Sequence, residues 1–299
     1  MAQKSKQWAA IIMMIALFAM IAFVTNLCSP MATIVKNQFG ASELAGQIGN
    51  YANFIAYLVM GIPSGMLIAK LGYKKTALLA LIVGIVGIVF EYLSGVVGSY
   101  VIYLVGAFIS GLCMCMLNTV VNPLLNVLGG GGKTGNQLIQ IGGAANSAAA
   151  VAVYILMGAL IGEVTKSTGI SDATPALIIA GVIFVIAFVI LLFTKIEEPE
   201  QAKVELSLIT GALKFRQLSL GALAIFLYMS VEVGTPTYMI SYLQTPEVGL
   251  SAGVAGLIAS VYWLMMFVGR SIGGSIGGKV SSRAMVSTVA TAAIAPLFF

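Results

Sequence analysis

Long apolar runs, separated by short breaks of charge or glycine, make up almost the whole chain. A helix of about 18 residues or more crosses a hydrocarbon core of ~30 Å. Runs of that length fall at roughly 8–35, 44–69, 76–97, 100–127, 134–161, 173–194, 217–243 and 252–278, and a ninth starts near 284 and reaches Phe299. None has the ~10-residue alternation of a barrel strand. The runs predict an all-α polytopic membrane protein with eight spanning helices and part of another. Lys4 and Lys6 imitate a secretory leader, but the apolar run from Trp8 is too long and no small-residue cleavage site ends it. Span one is therefore expected to be retained.

The charges then sort by side. With the N-terminus inside, the inner connections hold Lys4, Lys6, Lys70, Lys74, Lys75, Lys133, Lys195, Lys203, Lys214, Arg216, Arg270, Lys279 and Arg283, and the outer ones only Lys36 and Lys166. This is the asymmetry expected of a cytoplasmic N-terminus, and one missed helix would scramble it. The longest polar segment, Lys195 to Arg216, follows span six and carries Glu197, Glu198, Glu200 and Glu205. It predicts a cytoplasmic linker at 195–216 between a six-helix bundle at 1–194 and an incomplete second bundle at 217–299.

Composition narrows the class. The chain is 60% apolar and 8% charged, against about 25% charged in soluble domains. The net charge of +5 sits at the ends of apolar runs and marks topology rather than a nucleic-acid surface. With no histidine, the commonest metal ligand and general base are missing. Cys28, Cys113 and Cys115 lie in apolar runs without CxxC spacing and read as packed thiols. No enzyme activity, metal or cofactor is expected.

Against this background the stretch from Asn118 to Ser147 stands out. Asn118, Asn122 and Asn126 repeat at four-residue intervals, one helical face about 12 Å long. After Gly129–Gly132, a second face carries Asn136, Gln140, Gly143 and Ser147, with Asn146 beside it. Amides are costly in hydrocarbon unless they face each other or a wet cavity. There they either join helices or meet the hydroxyls of a neutral solute, donating and accepting without a net charge to dehydrate. Asn118, Asn122, Gln140 and Asn146, with Asn26 in span one, are the candidate solute contacts. Gly129–Gly132 followed by Lys133 and Thr134 is not a phosphate loop: Val127 stands where the first glycine is needed, and no strand precedes it. A tight helix–helix turn is expected.

Among the acids, Glu232 is read as the one well inside a span. A central charge costs roughly 2.5–3.5 kcal/mol on insertion scales and is usually functional. It is the candidate for proton coupling, the alternative being a structural partner for a polar group of the first half. Glu91 is expected to be interfacial, near the outer end of span three. Gly269, Gly273 and Gly277 repeat every four residues beside Gly274 and Gly278, a small-residue stripe that lets helices approach.

An internal repeat links the halves. Gly61-Ile-Pro-Ser-Gly65 leads to Lys74-Lys75, and Gly269-Arg-Ser-Ile-Gly273 leads to Ser282-Arg283, 208 positions later. Span two then corresponds to span eight. Parallel repeats of this kind build transporters with the solute site between the halves. Two six-span halves need about twelve spans, so a chain whose ninth run stops at Phe299 reads as a fragment or truncated product.

Four stretches resemble the major facilitator superfamily and, within it, the fucose:proton symporter family of sugar transporters. Asn118-Thr119-x-x-Asn122-Pro123 followed by Val127-Leu128-Gly129 resembles that family's span-four motif, and Asn146-Ser147 its span-five Asn pair. Gly65-Met-Leu-Ile-Ala-Lys-Leu-Gly72-Tyr-Lys74-Lys75 is similar to the superfamily's loop after span two. Glu232-Val-Gly234 and Ser241-Tyr242-Leu243 resemble the start of the family's second half. The resemblance implies alternating access, with Gly65, Gly72, Lys74, Lys75, Arg270 and Arg283 as a cytoplasmic gating motif and span eight at the border between the halves. The chain departs from the family at Asn118, where Glu is usual, at Thr33, where Asp is usual, and at Gly143, where Gln is frequent.

The expectation is an inner-membrane, monomeric secondary transporter for a small neutral polar solute, a monosaccharide first, by proton symport through Glu232. Its partners would be the lipid bilayer, the solute and the coupling proton. The alternatives are an amino sugar or peptidoglycan fragment as solute, sodium symport or uniport, and an inactive membrane protein.

Overall fold

Hydrocarbon has no water to satisfy backbone groups, so each apolar run closes its hydrogen bonds internally. A computed structural model describes residues 7–40, 42–161, 168–200, 211–212 and 214–294, with 29, 30, 43, 44, 154, 158, 237, 241 and 252 described by backbone alone. Its helices are α1 (Trp8–Phe39), α2 (Glu43–Leu71), α3 (Tyr73–Val97), α4 (Tyr100–Leu128), α5 (Gly132–Ile161), a 3-10 turn (Ile170–Ala173), α6 (Thr174–Phe193), α7 (Arg216–Leu243), α8 (Ala252–Ile276) and α9 (Ser282–Ile294). Eight of them are long and apolar enough to cross a membrane, in agreement with the expected spans. Lys4, Lys6, Lys166, Lys203, Glu205 and the end at Phe299 lie outside the described residues, as does half of the expected linker.

Local chemistry sets the breaks. Ser42 and Ser251 cap α2 and α8, their Oγ atoms accepting from the N–H groups of Ala45 (3.2 Å) and Val254 (3.4 Å). The α4–α5 turn runs through Gly130, Gly131 and Gly132 at φ 85°, 73° and 53°. Three successive positive φ values are accessible at little cost only to glycine, so this is the helix–helix turn expected of the run. The start of α3 moves from 76 to Tyr73, because Gly72, at φ 85°, reverses the chain there.

Within α1–α6, α4 packs against α3, α2 and α1, and α5 packs against α1. Met14, Leu17, Leu117, Leu124 and Phe184 are among the fully buried side chains of this core. Lipid tails are as apolar as leucine, so close packing rather than water exclusion holds such helices together. A Cβ on Gly111 of α4 would collide with the Asn53 carbonyl of α2. Beyond α6, α7 rests on α8, and α8 lies along α5. Of the glycine stripe, a Cβ on Gly273 would lie 3.6 Å from Gln140 Cδ and one on Gly274 3.3 Å from Ile141 Cγ1, while one on Gly269 would meet nothing within 4 Å.

Candidate functional site

The polar residues of α4 and α5 separate into groups. Near the Gly129 end, Asn126 Nδ2 donates to Asn136 Oδ1 (3.1 Å), and Asn136 Nδ2 donates to Ser282 Oγ (3.3 Å). These amides face each other across the turn and continue to α9. Higher on α4, Asn118 Nδ2 donates to the Tyr57 hydroxyl on α2 (2.9 Å). Asn122 Nδ2 donates to the Asn118 carbonyl (3.1 Å) and lies 3.5 Å from its Oδ1. Both residues stay partly exposed, leaving acceptor and donor capacity for a hydroxylated ligand. Tyr57 was not among the expected site residues; an aromatic hydroxyl in an apolar helix was its only signal.

The second group joins three helices. Arg270 of α8 reaches α5, where one guanidinium nitrogen donates to the Gly143 carbonyl (3.1 Å) and Ser147 Oγ (3.0 Å) and lies 3.5 Å from Asn146 Oδ1. Its other nitrogen donates to Glu232 Oε1 of α7 at 3.0 Å. The two side chains are only 20% and 11% exposed. Asn146 Nδ2 in turn donates to the Phe18 carbonyl of α1 (2.8 Å), and the Tyr262 hydroxyl donates to the Glu232 carbonyl (3.1 Å). A planar guanidinium with five fixed donors suits this many acceptors, where a lysine would not.

Gly143 makes that reach possible, since a Cβ there would lie 3.1 Å from Arg270 Cδ. The absent side chain at 143 and the arginine at 270 are thus two parts of one arrangement. Toward the Ile276 end of α8, the α5–α8 seam holds a cavity of about 280 Å³ lined by Gln137, Ile141, Ala144, Ser271, Gly274 and Ser275.

Several expectations are corrected. Arg270, assigned to an inner connection, lies within α8 and pairs with Glu232. Glu91, expected at the interface, is 6% exposed and sits between α3 and α4 with Ser110 Oγ donating to its Oε1 (2.8 Å). Glu232 is therefore not the only acid well inside a span. Asn26 is buried and turns its Nδ2 back onto the Ala22 carbonyl (2.8 Å), and Gln140 packs on Gly273.

The gating residues carry another unforeseen partner. The carboxylate of Glu198 accepts from the N–H groups of Tyr73 (2.7 Å) and Lys74 (2.8 Å), and Lys74 Nζ donates to the Leu192 carbonyl (2.9 Å). An anion here satisfies orphan donors and the dipole of α3. A Cβ on Gly72 would collide with Glu198 Oε2. Gln7 bonds Glu197 twice, donating from Nε2 to Oε2 (3.3 Å) and accepting at Oε1 from its N–H (2.9 Å). Lys75 and Arg283 are exposed, and Gly65 has open space around it. Among the described residues no hydrogen bond joins the Asn118 group to the Asn146 group.

Residues 12–299 match the Major Facilitator Superfamily. A glucose/galactose transporter of Brucella abortus biovar 1 (strain 9-941) is 25% identical over 263 residues, covering 86% of this chain and 64% of that protein. The L-fucose-proton symporter of Escherichia coli (strain K12) is 22% identical over 281 residues, covering 85% and 64%. The chain thus spans 64% of the length of these curated relatives. A crystal structure of the E. coli fucose:proton symporter superposes with a TM-score of 0.77 at 20% identity, over 95% of this chain and 74% of that one. At that identity the match establishes the fold.

Proposed function

From the premise that the chain belongs to the Major Facilitator Superfamily, we propose that it moves a neutral monosaccharide across a bacterial inner membrane by proton symport. The relatives named for glucose, galactose and fucose support a hexose-type solute. Asn118, Asn122 and Asn146 are its contacts; Gln140 and Asn26 contribute only if the helices part or turn. The charge asymmetry supports a cytoplasmic N-terminus. Residues 1–194 and 217–299 act as the two rocking units, with Gly65, Gly72, Lys74, Lys75 and Arg283 at their cytoplasmic edge.

The observation that carries this reading is the Arg270–Glu232 pair held against Asn146 and Ser147. While Glu232 is ionised, the pair is neutral and the helices are tied. A proton on Glu232 removes the anion, and Arg270 then relies on its α5 acceptors alone. Solute binding at Asn146 and proton binding at Glu232 thus act on the same guanidinium, which couples them as linkage requires. No bond is made or broken in the solute.

The test is uptake of labelled glucose, galactose and fucose into proteoliposomes with an inward proton gradient. A hexose should accumulate in the wild type, and Glu232→Gln should lose gradient-driven accumulation while keeping exchange. Accumulation by Glu232→Gln that still follows the gradient would remove Glu232 as the coupling site, and accumulation driven by sodium alone would replace the ion.

A further inference from the structure

We propose that Glu91 is a second proton-binding site, in the first helical bundle and separate from Glu232. Glu91 is 6% exposed within an apolar spanning helix. The donor it is given is one hydroxyl, Ser110 Oγ at 2.8 Å. An ionised carboxylate has about four lone-pair sites to satisfy, and a single neutral donor leaves most of them empty. Burying such a group as an anion, without a cation beside it, is costly.

The surroundings contain nothing that would hold the anion. The titratable side chains near Glu91 are Cys28 of α1 and Tyr103 and Tyr100 of α4, a thiol and two phenols that offer it no positive charge. On α3 itself, Ser94 Oγ donates to the Glu91 backbone carbonyl (2.6 Å), not to the carboxyl. α6, which also packs on α3, carries no charged side chain from Thr174 to Phe193. The 3-10 turn places Ile170 against Gly95, and its Asp172 is exposed and occupied with the Gly169 N–H (2.9 Å). Among the described residues, Glu91 makes no salt bridge.

The cluster is also short of hydrogen-bond donors. Asn53 of α2, 1% exposed, donates from Nδ2 to Cys28 Sγ (3.4 Å), but its Oδ1 is buried with no partner. A buried acceptor of this kind needs a donor or an ordered water. Room for the carboxyl is made deliberately: a Cβ on Gly106 would lie 2.8 Å from Glu91 Cγ, and one on Gly87 2.5 Å from Ser110 Oγ. Two glycines therefore face an acid and its hydroxyl donor in an otherwise close-packed seam. The proton arrives from water, adds to a Glu91 carboxylate oxygen and leaves by the reverse step. The inference does not depend on the solute or on Glu232.

Infrared spectroscopy of the purified full chain in lipid tests it. The wild type should show a protonated-carboxyl C=O band at neutral pH. Glu91→Gln should remove that band, Ser110→Ala should shift it while leaving Glu91 in place, and Glu232→Gln should spare it. Raising the pH should abolish the band in one reversible transition. A Glu91→Gln spectrum identical to the wild type means an ionised Glu91 and overturns the proposal. So does a band that persists at every pH at which the chain stays folded, because that acid would be structural and never exchange. If Glu91→Gln does not fold, an unshifted band in Ser110→Ala overturns it equally.

Discussion

Removing one member of the Arg270–Glu232 pair should cost more than its hydrogen bond alone. In Glu232→Gln, Arg270 keeps the Gly143 carbonyl and Ser147 Oγ but loses its anion, 3.0 Å away. A hydrogen bond to a charged group contributes about 1.5–3 kcal/mol. In Arg270→Met the loss is larger, because Glu232 stays behind at 11% exposure with no cation. Breaking a buried pair costs about 3–5 kcal/mol; partial wetting here reduces that to about 2–4 kcal/mol. The double variant strands neither charge, so it should recover about 2 kcal/mol relative to the sum of the single ones. Cys28, Cys113 and Cys115 are all buried, which makes a thiol-reactive dye a built-in reporter of unfolding. At about 2–4 °C per kcal/mol, the single variants should lower Tm by about 3–16 °C, and the double variant should fall short of the sum by about 4–8 °C. Additive shifts, agreeing within about 0.5 kcal/mol, would mean that the two residues do not interact.

Two further outcomes follow from the packing. Glu198→Ala removes both acceptors from the start of α3 and should destabilise that turn by about 2–3 kcal/mol, so the Tyr73 and Lys74 amides should exchange with solvent about 30- to 150-fold faster; unchanged exchange would show that the contact is incidental. Gly111→Ala drives a methyl into the Asn53 backbone and should lower stability by about 1–3 kcal/mol in the same dye assay, whereas an unaltered Tm would mean that α2 and α4 do not approach this closely.

The spans could be read directly from residue order, because a helix in hydrocarbon satisfies its own backbone and each run needs no partner to declare itself. The glycine turn after Leu128 was equally legible, as three consecutive positive φ values leave no other residue comfortable. The facing amides of Asn126 and Asn136 followed from helical periodicity across that turn. Side-chain partners from distant helices did not follow. Arg270 looks like a topology charge near a helix end until the crossing of α5 and α8 aims it past Gly143 toward Glu232. Glu91 looks interfacial by its distance from the end of α3, and helical phase alone cannot say that α4 covers it at Ser110. Glu198 reads as one charge of a polar segment, yet chain reversal after α6 brings it to α3, more than a hundred positions away in sequence. Periodicity is local and is written into neighbouring residues. Which faces meet depends on rotations and crossings summed over several helices, and no short stretch of the chain contains that sum.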